Sequence, residues 1–355
     1  MRNKLVATAI AGLVAAPMAQ ADSEVSWFGF SQITAEQQAE TPAGDGGGFA
    51  FGADRVRIGY KADFDSGAFS MLQMDFNQNT NSSGFDLPAY IKDAKVGYDF
   101  GPASVMAGQF KTPVGMDFNT SGKKLDITKR GMEKSLVMER AAGAMLAGKA
   151  EGLGYKVGVF NPTTRGATDA APSGLVDPNN PDSGPVVGED YAYAGNLSYG
   201  MGKMLHAEIG YGVSQASATG LDDYEVMDIG LKSQPMPNLT LKAEYIDGTN
   251  YNNVDGNDRN VWYGHAGYEF TPFVEGVVRH YQSSDDPSDT DYSETFVGAN
   301  FFLNPDVHHE SRIQLNYVLP GGDTEDVGNH AGAKAVTDDA GEATGTFLAQ
   351  FQTSF

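Results

Sequence analysis

The sequence predicts an all-β protein: a transmembrane antiparallel β-barrel of about 16 strands, with short periplasmic turns, long extracellular loops and an inward-folded third loop. Three observations carry this reading. Segments of alternating apolar and polar residues recur from end to end, mostly near the ~9–11 residues a tilted strand needs to cross a bilayer. The connections between them alternate long and short. The last segment, GTFLAQFQTSF, sets Phe347, Phe351 and the terminal Phe355 on the face opposite Gln350, Gln352 and Ser354. Chain ends fray, so a terminal aromatic suits a lipid interface better than a protein core.

Residues 1–21, MRNKLVATAIAGLVAAPMAQA, read as a secretory signal cleaved after Ala21: Arg2 and Lys4 precede an apolar stretch from Leu5 to Ala16, and Ala19 and Ala21 supply the small-residue pattern. Residues 22–355 are expected to form a single barrel domain in the Gram-negative outer membrane. The chain contains no cysteine, so no disulfide framework supports it. No second apolar run approaches the length of a membrane helix, a test that alternating strands escape. The formal charge is −22, and loss of Arg2 and Lys4 with the signal takes it to −24. Such a surface repels nucleic acid. The 44 Gly, 16 Tyr and 20 Phe against 2 Trp fit many turns and aromatic girdles.

Strands are expected at about 25–35, 49–62, 68–77, 90–100, 104–110, 141–150, 152–160, 191–199, 204–214, 224–233, 239–247, 260–270, 273–282, 292–303, 312–319 and 346–355. Connections such as DFGPAS, AEGLG and FTPF are minimal, whereas 36–48, 161–190, 248–259 and 320–345 are long and polar. A barrel whose ends face different compartments sorts its loops in this way, and a soluble sandwich has no reason to. The faces agree: Leu205, Ala207, Ile209, Tyr211 and Val213 oppose His206 and Glu208, and Ile313, Leu315, Tyr317 and Leu319 oppose Arg312, Gln314 and Asn316.

One segment breaks the pattern. Residues 111–140 are too long for a simple turn and hold no plausible membrane strand. Seven basic residues (Lys111, Lys123, Lys124, Lys129, Arg130, Lys134 and Arg140) outnumber four acidic ones, giving +3 in a strongly acidic chain. A sixteen-stranded barrel encloses a wide aqueous lumen, and selection within it needs an inward loop that narrows it. Cations lining such a passage attract anions more strongly than the same charges in bulk water. In RVRIGYK, Arg55, Arg57 and Lys61 share a face; Arg on the lipid side is costly, so these point inward as a ladder along the wall. Lys156 and Arg312 have the same inward parity. Scaffolding of wall and loop is the competing role for each.

AGQFKTPVGMD, the basic stretch after it, SLVMERA and YKVGVFNP resemble the phosphate-selective porin O and P family, most clearly over 90–162. The resemblance implies sixteen-stranded trimers, an inward third loop and basic residues that guide phosphate or related anions; Lys111 lies inside the matching motif. The acidic net charge departs from that pattern. A terminal Phe after alternating apolar residues also resembles the signal read by the barrel-inserting machinery of outer-membrane proteins.

The expectation is a passive aqueous channel for small hydrophilic solutes that favours anions, set among outer-membrane lipid and lipopolysaccharide. A general or cation-selective pore is the nearest alternative, and a secreted β-sandwich adhesin or binding module the remote one. No catalytic motif occurs, and His308, His309 and Glu310 lack the further ligands of a metal site. No enzyme activity, cofactor or metal is expected.

Overall fold

The structure, a computed structural model, describes residues 23–38, 47–77, 91–162, 190–216 and 220–355. The expected signal segment and parts of four of the long loops lie outside these residues. The chain forms β1 (Ser23–Gln37), β2 (Phe49–Phe64), β3 (Ala68–Asp75), β4 (Ile91–Asp99), β5 (Ala103–Lys111), β6 (Arg140–Ala150), β7 (Leu153–Phe160), β8 (Ala192–Met201) and β9 (Leu205–Ser214). It continues through β10 (Tyr224–Met236), β11 (Leu239–Thr249), β12 (Arg259–Thr271), β13 (Val274–Asp285), β14 (Thr290–Phe302), β15 (Ser311–Gly322), a two-residue hairpin of β16 (Val336–Thr337) and β17 (Ala343–Thr344), and β18 (Thr346–Ser354).

Sixteen of these strands close into one antiparallel barrel in sequence order, with β1 pairing β2 on one side and β18 on the other. Closure is a physical requirement: hydrocarbon offers no partner to an unpaired N–H or C=O, so a sheet that spans it cannot have an edge. The last bonds of the seam join Gly29 to Phe355, each amide donating to the other's carbonyl at 3.2 and 3.0 Å. Alternation then fixes the faces. Val96 and Val157 point outward and are 61% and 55% exposed. Arg312, Gln314 and Gln352 point inward and are buried.

Phe347, Phe351 and Phe355 lie on the outer face as expected, opposite buried Thr346, Gln350 and Gln352. The Phe355 ring lies against Gly29, where a Cβ would come within 2.6 Å of it.

Loop sorting departs from the expectation at one strand pair. β13 and β14 extend beyond the bilayer-spanning length until Asp285 pairs with Thr290. Only residues 286–289 remain on the long-loop side, with Asp289 closing the turn at φ 53°. The following connection on the short-turn side, 303–310, is longer.

Removing the terminal ring by Phe355→Ala leaves the internal strands intact and takes the aromatic anchor from the seam. The expected outcome is a smaller folded fraction in isolated outer membranes, read from heat-modifiable migration on a gel. Undiminished folded yield would show that the ring has no part in assembly.

Candidate functional site

The third loop, residues 112–139, does not stand above the barrel. It crosses the lumen and packs on the far wall, carrying two single-turn helices, α1 (Met116–Asn119) and α2 (Glu133–Leu136). Its own apolar residues make this possible: Phe118, Leu125, Ile127, Met132, Leu136 and Val137 are all within 1% of full burial. The polar wall supplies partners for its backbone. Asp228 on β10 accepts from the Gly115 amide at 3.0 Å, and Glu244 on β11 accepts from the amides of Met116 and Asp117 at 2.6 and 3.0 Å. Asn300 donates to the Asp126 carbonyl at 3.0 Å and Gln314 to that of Leu125 at 3.2 Å. Asn316 accepts from the Thr128 amide at 2.9 Å, and Gln350 donates to the Thr128 carbonyl at 3.2 Å. Arg312 and Gln352 both donate to the Lys123 carbonyl at 3.1 Å.

Charge reinforces the seat. Asp126 meets Lys242 and, at 3.0 Å, Arg279; Asp117 meets Arg279 at 3.3 Å. Burial alone would raise the Asp126 pKa, but Lys242, His265 and Arg279 outweigh it and hold it well below the ordinary carboxylate range. Glu133 goes the other way: burial first, and then the Asp117 charge, push it up to about 7 against the opposing pull of Arg279 and Arg130.

The expected cationic residues separate into three groups. Arg130 and Arg312 are buried struts. Arg130 donates to the carbonyls of Asp117 at 3.3 Å, Phe118 at 3.2 Å and Thr120. Arg55 donates to Gln32 at 2.6 Å beside Gly122 of the loop. Lys129 pairs with Glu36 at 2.5 Å and Asp54 at 3.6 Å, and Lys134 with Glu139 at 3.3 Å. Lys123 offers the loop its carbonyl as an anchor, and Lys61 pairs with Asp63 at 2.8 Å toward the short-turn end. Lys124 is exposed and makes no ion pair among the described residues. It lines a chamber of about 730 Å³ with Lys203, His206, Glu208, Lys232 and His309.

The third group surrounds the open side of the lumen. Arg57, Lys111, Arg140 and Lys156 line one cavity of about 370 Å³ between the loop and β2–β7. Lys95, which the sequence reading did not single out, lines it too, and Asp93 is the one carboxylate in the lining among the described residues. Arg57 pairs with Asp75 at 2.7 Å and Arg140 with Asp93 at 3.3 Å. Lys111 donates to the carbonyls of Phe118 and, at 3.2 Å, Thr120. Lys95 and Lys156 make no ion pair among the described residues. The inward parity of Asp93 and Lys95 in IKDAKVGYD was the available signal for Lys95. No local pattern marks Asp228, Glu244 or Arg279 as loop anchors, because their partners lie more than a hundred residues away in sequence.

Two expectations test this seat. Gly115 starts the loop's first helix at φ 89°, and a Cβ there would lie 2.4 Å from Val137; Gly115→Ala is expected to cost about 1–3 kcal/mol and to make single-channel current noisier. Glu133 binds a proton more tightly folded than unfolded, so its contribution to stability falls as pH rises from its ordinary 4.5 to about 7 and is level above that. The depressed carboxylate of Asp126 acts on the other side, being lost only in stronger acid. The thermal midpoint of the detergent-solubilised barrel should therefore decline across pH 4.5–7, and less steeply in Glu133→Gln.

A family model described as Gram-negative porin matches residues 7–311. No curated protein sequence matches the chain. Solved structures do. The anion-selective porin from Comamonas acidovorans has a TM-score of 0.65 at 15% identity, covering 94% of this chain and 100% of its own. Salmonella typhi OmpF in complex with daunomycin scores 0.66 at 13%, covering 94% and 98%. OmpT of Vibrio cholerae, in its trimer form, scores 0.61 at 10%, covering 94% and 100%. At these identities the likeness is one of fold. The family match takes in most of the sequence, and the chain belongs to the Gram-negative porins of the outer membrane.

Proposed function

We propose that the protein is a passive aqueous channel for small hydrophilic solutes that favours anions. The observation that carries this reading is the uneven cancellation of charge inside the barrel. Cations on β11 and β13 are neutralised by carboxylates of the third loop. On the open side, five basic side chains meet two carboxylates, Asp75 on Arg57 and Asp93 on Arg140, and Lys95 and Lys156 stand outside any ion pair among the described residues. Uncancelled charge beside a narrow path sets which ions enter it. Phosphate is among the anions such a wall attracts, and the resemblance to the O and P family supports including it.

The acidic chain as a whole favours a second reading, a general or cation-preferring pore. Asp286, Asp289, Asp291 and Asp323 sit at the long-loop mouth on β13–β15 and their connections. Screening over ~8 Å at physiological salt weakens such distant charges relative to those lining the path. Assembly as three copies, insertion by the barrel-assembly machinery, and contact with lipopolysaccharide through the acidic rim belong to the same proposal, supported by the closed barrel and its outward aromatic residues.

Reversal potential in a potassium chloride gradient across a planar bilayer tests it. Wild-type protein is expected to favour chloride, and Lys95→Glu with Lys156→Glu to move the permeability ratio several-fold toward potassium. Cation preference in the wild type defeats the anion reading and leaves the porin assignment standing.

A further inference from the structure

The lumen wall between the cations is only partly polar: Gln73, Asp93, Asn119 and Ser121 share it with apolar side chains. The interior of a water-filled barrel normally carries polar side chains, yet Met71, Met106, Met145, Phe30 and Phe110 line the same 370 Å³ cavity as Lys95, Lys111 and Lys156. Met106 and Met145 pair across β5 and β6, and their outer neighbours in that row are Gly97 and Gly158. Rings cover both glycines: a Cβ on Gly97 would meet Phe69 at 2.3 Å, and one on Gly158 would meet Phe160 at 2.7 Å. Met71 stands opposite Lys95 in the adjoining register, and the Lys95 ammonium lies 5.6 Å from the Phe110 ring centroid. The result is a thioether and aromatic surface rimmed by ammonium groups.

From this we infer that the cavity is a binding subsite for organic anions with an apolar body, aromatic monocarboxylates above all. The inference deepens the anion-channel reading and rests on it. A carboxylate satisfies the rim lysines while its ring displaces water from the methionine surface, where polarisable sulfur accommodates rings of varied shape. Phosphate and acetate meet the same lysines and gain nothing from the thioethers. The patch therefore discriminates among anions, whereas the lysines discriminate anions from cations.

The test measures half-blocking concentrations of benzoate, acetate and inorganic phosphate against chloride current through the bilayer-inserted protein. Benzoate is expected to block about tenfold more tightly than acetate, because ~1.4 kcal/mol is what burial of roughly 55 Å² of ring supplies. In Met71→Gln with Met106→Gln, the benzoate-to-acetate ratio is expected to fall toward one. If that pair fails to assemble, Met106→Gln alone provides the comparison. A ratio near one in a chloride-selective wild type overturns the subsite and spares the anion channel. A ratio that survives the substitutions places ring recognition elsewhere and also overturns it. Potassium preference in the wild type removes the parent reading, and the subsite with it.

Discussion

Everything in this molecule follows from the cost of an unpaired peptide group in hydrocarbon. That cost forces sixteen strands into a closed ring and brings Gly29 to Phe355 at the seam. It also creates a second problem, since a ring of this size encloses a wide space of water. The third loop answers it. Its backbone cannot satisfy itself within two helices of four residues each, so the inward side chains of β10, β11, β14, β15 and β18 take its amides and carbonyls one by one. A bond of this kind contributes about 0.5–1.5 kcal/mol, and leaving its buried partner unmet costs more, so the seat holds as a set.

Charge distribution is then a by-product of the seat. Asp117 and Asp126 come down on Arg279 and Lys242 because the loop has to land on that wall. Arg130 folds back to brace the α1 carbonyls. Lys95 and Lys156, across the gap on β4 and β7, remain outside this bookkeeping among the described residues. The balance of charge inside the barrel thus depends on which half of the cylinder the loop covers.

Much of the fold was legible because period-2 alternation and loop sorting are local signals. Inward Arg312 and outward Phe351 follow from parity alone. The site was only partly legible. A basic run such as 123–134 looks like a passage lining until its partners are known. Lys129 meets Glu36 and Asp54, Lys134 meets Glu139, and Arg130 meets carbonyls of its own loop. Those of Lys129 are long-range and the others depend on how the loop folds on itself, and composition displays neither. Lys95 went unnoticed for the opposite reason: one lysine in an ordinary strand carries no motif, and its importance comes from making no ion pair among the described residues. The short 286–289 connection was likewise hidden, because strand pairing continued past the bilayer-spanning length.

The loop's one-sided seat divides the interior into regions of unequal tolerance to change. Side chains on β10, β11, β14, β15 and β18 hold the loop, so a substitution there risks the whole constriction. Met71, Gln73 and Lys95 on β3 and β4 line the open path instead. Substitutions along a few adjacent strands can therefore change the chemistry of the open wall while the scaffold stays fixed, and an engineer can follow the same route.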